Sequence, residues 1–138
     1  MEITYSALQT VADGQNVLFN ETPVSGKCAV HRDGSGVVTL RGAGSQYRAR
    51  YRVHFGANIA IATGGTVDPI SVAISLRGEP LAASTAIVTP AAVGDFTNVS
   101  LDTFVEVPCG CCTDVAIENT SGQAIDVQNA NLIVVREC

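Results

Sequence analysis

The stretch from Tyr47 to Phe55 sets the terms for this chain. It reads Tyr47-Arg48-Ala49-Arg50-Tyr51-Arg52-Val53-His54-Phe55, apolar or aromatic at every odd position and basic at every even one. Successive side chains of a strand project to opposite faces, whereas those of a helix return to one face every 3.6 residues. The rhythm therefore demands a strand with one buried face and one basic, solvated face. It recurs at 70–77, where Ile70, Val72, Ile74 and Leu76 alternate with Ser71, Ala73, Ser75 and Arg77. At 99–107 the sequence alternates Val99, Leu101, Thr103, Val105 and Val107 with Ser100, Asp102, Phe104 and Glu106.

Weaker strand patterns lie at 3–8, 17–19, 28–31, 37–41, 58–62, 86–89, 114–118, 124–128 and 132–136, and turn pairs such as Asp13-Gly14, Arg77-Gly78 and Ser121-Gly122 separate many of them. A helical period is nowhere sustained; the Ala-rich stretch 80–92 is interrupted by Pro90. Short strands repeated along a whole chain predict an all-β sandwich or barrel. A length of 138 residues fits one domain, 1–138.

Composition narrows the functional classes. Apolar residues make up 46% of the chain and charged residues 15%, too oily for a disordered chain. The longest apolar run, around 58–62, is far short of the roughly 20 residues of a bilayer helix, so the sequence predicts no membrane partner. So little charge on one small domain predicts a face covered by another copy, hence a homo-oligomer. The net charge of −5 repels phosphate and predicts no nucleic-acid partner. Residues 1–5 carry neither a basic nor a continuous apolar segment, so no signal peptide is expected, and the five cysteines are expected as thiols made in a reducing compartment.

Chemistry-bearing motifs are sparse. The two histidines, His31 and His54, belong to no metalloprotease motif, and the chain has no nucleophile elbow, phosphate loop or complete dinucleotide fingerprint. His31-Arg32-Asp33 could form an acid–base group, but no nucleophile stands near it in sequence. The expectation is a non-enzymatic protein that needs no cofactor. Cys109, Cys111 and Cys112, with Cys28 and Cys138, are the most metal-like feature, yet they lack paired Cys-x-x-Cys spacing. Buried thiols acting as small hydrophobes are the favoured reading, with a disulfide from Cys28 to the cluster, or zinc, left open.

The even positions Arg48, Arg50, Arg52 and His54 form the candidate contact stripe, suited to carboxylates of a neighbouring subunit, a lattice or an acidic glycan. The competing expectation is cross-strand pairing with Asp102, Glu106 or Glu118 of the same copy. Phe104, on the polar face of its strand, is the candidate subunit-interface residue unless a loop covers it. Tyr47, Tyr51 and Phe55 belong to the inward face and are expected in the core.

The stretch 115–125, Val115-Ala116-Ile117-Glu118-Asn119-Thr120-Ser121-Gly122-Gln123-Ala124-Ile125, followed by Asn131-Leu132-Ile133-Val134-Val135, resembles the globular heads of bacterial collagen-like, exosporium-type surface glycoproteins. Those heads are jelly rolls of the tumour-necrosis-factor and complement type. The resemblance implies a jelly-roll β-sandwich of about ten short antiparallel strands that forms a homotrimer. Residues 1–138 contain no Gly-X-Y repeat, so a head without a collagen stalk is expected, and such a head is also similar to phage capsid-decoration or fibre-head proteins. The resulting expectation is a trimeric decoration or fibre-head protein made in the host cytoplasm and carried on the virion surface. Its partner would be the major capsid protein or another virion protein. The alternatives are a head on a bacterial cell or spore surface, and a carbohydrate-binding module whose end loops would hold a glycan.

Overall fold

The computed structural model describes residues 1–42, 49–108 and 112–137. Among them lie eleven strands: β1 Glu2–Tyr5, β2 Gln9–Val11, β3 Glu21–Val24, β4 Ala29–His31, β5 Val38–Arg41, β6 Ala49–Ile61, β7 Ile70–Leu76, β8 Glu79–Val88, β9 Thr97–Val107, β10 Cys112–Asn119 and β11 Ile125–Glu137. They form two antiparallel sheets, ordered β3-β1-β11-β6-β9, with β2 also on β11, and β4-β5-β10-β7-β8. The fold is an all-β sandwich.

Period two accounts for the core. From β6 the odd residues Tyr51, Val53, Phe55, Ala57, Ile59 and Ile61 are buried, and β9 adds Val99, Leu101, Val105 and Val107. The second sheet answers with Leu40, Ile70, Val72, Ile74, Val115 and Ile117. Removing such residues from water stabilises by roughly 1.5–3 kcal/mol each before chain entropy is set against it.

Two pairs of sequence segments merge. The patterns at 47–55 and 58–62 join in β6, which runs without a break from Ala49 to Ile61; Tyr47 and Arg48 lie outside the described residues. The segments at 124–128 and 132–136 are one strand, β11, whose register against β6 shifts between Gln128 and Asn131. Buried residues are Ile125 and Val127 before the shift, but Ala130, Leu132 and Val134 after it. The bulge thus moves the inward face from odd to even positions and keeps both halves of the strand in the core. Asn129 sits in it at φ 58°, a conformation asparagine tolerates better than most residues.

Residues 17–19 depart from the strand expectation. They follow an isolated bridge from Asn16 to Glu118, and Val17 donates from its backbone to the Ile117 carbonyl at 2.8 Å. Val17 and Phe19 are nevertheless fully buried, with the Phe19 ring edge-on to Phe55 at 6.4 Å. Their apolar character reflects plugging of the core and not pairing in a ladder. Asn119 is the buried polar pin between sheets: its Nδ2 donates to the carbonyls of Val11 (3.0 Å) and Gln123 (2.9 Å), and its Oδ1 accepts from the Ser121 amide (2.9 Å).

Candidate interaction face

The solvent side of the first sheet carries the residues singled out by the sequence. Strand pairing opposes Arg52 to Phe104 on β9 and to Val135 on β11, while His54 opposes Asp102 and Ile133, and Arg50 opposes Glu106. Odd residues of β11 reach this side only because the bulge has reversed its parity. Ile133 and Val135, inward by a simple alternation from Ile125, therefore stand outside beside the basic residues.

Arg50 and Arg52 of this face are paired within the chain. Arg52 grips Asp102 diagonally, through Nε at 3.2 Å to each carboxylate oxygen and through Nη2 at 2.6 Å to Oδ2. Arg50 Nη2 lies 3.4 Å from Glu106 Oε1. His54 Nδ1 is 4.0 Å from Asp102 Oδ2, so a protonated imidazole would join the same carboxylate. The hydrogen bonds from Arg52 hold the Asp102 carboxyl below its ordinary range. Each exposed pair is worth at most about 1 kcal/mol because water screens it. Glu118, the third partner considered from the sequence, is on β10 in the other sheet. Arg48 lies outside the described residues.

Arg52, drawn toward Asp102, borders with His54, Ile133 and Val135 a shallow depression of about 300 Å³. Phe104, on β9 across Arg52 from the depression, has 60% of its surface exposed, and Val135 is 48% exposed. No loop of the described residues covers the phenyl ring. The face thus combines a projecting aromatic group, a depression with an aliphatic side, and ion pairs already closed on themselves.

The other candidates are placed elsewhere. His31 is buried edge-on to Phe19, its Nε2 is 2.8 Å from the Ser35 carbonyl, and its Nδ1 is 3.8 Å from Asp33 Oδ1. Asp33 also accepts from Thr22 Oγ1 at 2.9 Å. Cys28 is half-buried, with its Sγ 3.5 Å from Arg136 Nη1, and Cys112 is exposed. Cys109, Cys111 and Cys138 lie outside the described residues. Tyr51 and Phe55 are buried as expected, and the Tyr51 hydroxyl bonds the carbonyls of Cys28 and Arg41. Burial raises the Tyr51 phenol above its ordinary range. Asn119, which heads an Asn-x-Ser pattern, is buried with its amide fully engaged, so the folded chain offers no glycosylation acceptor there.

The fold and this face define an all-β sandwich with an apolar and charge-paired sheet surface. No protein-family model matches the chain, and no curated sequence matches it. Among solved structures it is similar to the EclA C-terminal domain, described as a sugar-binding protein. That match has a TM-score of 0.40 and 13% identity, and covers 95% of this chain and 80% of the other. It is also similar to the Arthrobacter globiformis T6 isomalto-dextranase complexed with panose. There the TM-score is 0.35 at 14% identity, over 91% of this chain and 23% of that enzyme.

Proposed function

We propose that the chain is the non-enzymatic jelly-roll head of a homotrimer, whose copies associate through the outer face of the first sheet. The assembled head would decorate a larger particle, a phage capsid or fibre in the reading implied by the sequence resemblance. Phe104 carries the proposal: a phenyl ring, mostly exposed, stands on the same face as the depression and Val135, with Arg52 between them. An aromatic side chain is the kind of residue that anchors interfaces once buried.

The ion pairs support the same reading. A face with free arginines could be covered only at a large desolvation cost, whereas Arg52 and Asp102 already neutralise each other at 2.6 Å. Contact by knob and depression between copies is heterologous, and such contacts close into rings when the rotation allows. Attachment to a particle would then come from several weak contacts per trimer acting together, without a reactive group.

Sedimentation velocity on the purified chain tests the proposal. A trimer is expected, converted to folded monomer by Phe104→Ser, with circular dichroism unchanged. A wild-type chain that sediments as a monomer across the accessible concentration range would overturn it. The particle assignment is tested by recovery of the tagged protein with purified virions.

A further inference from the structure

The β7–β8 hairpin borders a cleft at one end of the sandwich, where the edge strands β8 and β9 of the two sheets come side by side. The cleft encloses about 460 Å³, within the roughly 300–1,000 Å³ typical of small-molecule pockets. Its apolar wall is formed by Leu76 and Leu81, both partly buried and packed against the core.

Alternation decides which other groups face it. Leu76 continues the inward row of Ile70, Val72 and Ile74 on β7, and Thr113 that of Val115 and Ile117 on β10, where it is 4% exposed. Glu79 lies directly opposite Leu76 in the hairpin, so its side chain is set on the inward side as well. Arg77 and Gly78 make the two-residue turn, with φ 53° and 85°, and the guanidinium of Arg77 reaches inward through Nη2 to Thr113 Oγ1 at 3.4 Å. Such a turn favours Asn-Gly or Asp-Gly. Arginine is held there against its backbone preference, an outlier of the kind that gathers at ligand contacts. Because Arg77 turns to Thr113, no ion pair joins it to Glu79 among the described residues. Glu106, on the β9 side of the cleft, is drawn to Arg50 at 3.4 Å.

We propose that this cleft binds a neutral saccharide of one or two rings. An anion meets Glu79 and Glu106 there, and an organic cation meets Arg77. Two carboxylates also fall short of the six or more oxygens a calcium ion takes. A neutral polyol satisfies both signs: its hydroxyls accept from the guanidinium of Arg77 and donate to the carboxylate of Glu79. Its C–H face rests on Leu76 and Leu81. The proposal does not depend on association through the first sheet.

Saturation-transfer NMR with free neutral hexoses and N-acetylhexosamines, paired with a glycan array, tests the site. The free sugars report a monosaccharide ligand, and the array reports the end of a larger glycan. Binding in either format is expected, with no transfer to free alanine or leucine, whose paired charges could also span Arg77 and Glu79. Arg77→Asn supplies a residue the turn prefers, so Tm should hold or rise while affinity falls about tenfold or more, the scale of one hydrogen bond to a charged group. Glu79→Gln should weaken binding in the same direction with Tm unchanged. No binding in either format, transfer to the amino acids instead, or sugar binding that survives both substitutions in folded protein would overturn the proposal. Phe104→Ser should leave monosaccharide affinity unchanged. The oligomeric state and the sugar site can therefore fail separately.

Discussion

Asn119 shows how much one side chain can hold in this sandwich. Its amide joins the carbonyls of Val11 and Gln123 at 3.0 and 2.9 Å, deep enough that no water replaces it. Asn119→Ala leaves those carbonyls without a donor, and a loss of about 2–4 kcal/mol is expected in urea unfolding, since each unsatisfied buried group costs roughly 1–3 kcal/mol. Asp102 is a milder case on the surface. Its pKa is lowered from 3.8, chiefly by hydrogen bonds from Arg52. The folded state therefore favours the ionised form. The resulting stability is fully present above the unfolded value and is lost as pH falls from there through the lowered folded value. Acid titration of Tm should show a small decline below about pH 4, reduced in Asp102→Asn, and no effect of this group near neutrality.

At the scale of elements, the strands most legible in the sequence were those with one face wet and one dry. The alternation at 99–107 appears as β9 with the assigned faces, and that at 70–77 appears as β7, although Ala73 and Ser75 on its outer side are buried as well. The short edge strands β2 and β3 were not legible, because Gln9–Val11 and Glu21–Val24 bury too little to impose a period. Residues 17–19 misled for the opposite reason: their burial is real, but an irregular segment achieves it. The bulge in β11 was hidden because parity changes within one strand, so each half looked like a separate element. Its stability turns on the positive φ of Asn129. Asn129→Val is expected to cost about 1–2 kcal/mol by denaturant titration, while Asn129→Gly should be nearly neutral.

For the molecule as a whole, the residues of this face and their charge pairing were legible in the sequence, but the strand order that assembles them was not. The basic row and Phe104 were each readable on the solvated face of its own strand; that these strands lie side by side was not. That Arg50 and Arg52 close onto Glu106 and Asp102 is the cross-strand pairing the sequence suggested and follows from β6 lying beside β9, whereas the arrival of Ile133 and Val135 depends on β11 lying beside β6 with its parity reversed. The association we propose should therefore respond weakly to salt. Raising sodium chloride from low to molar concentration is expected to leave the sedimenting species unchanged, because few charges remain to be screened between copies.

The placement of β11 also governs how the molecule comes into being. It follows every other strand in the chain yet occupies the middle of its sheet, bonded to β1 and β2 along one side and to β6 along the other. A nascent chain waiting for it presents two unzipped backbone edges, which invite a wrong partner. Closure is consequently a late, long-range event, and slow refolding follows from so many contacts between distant parts of the chain.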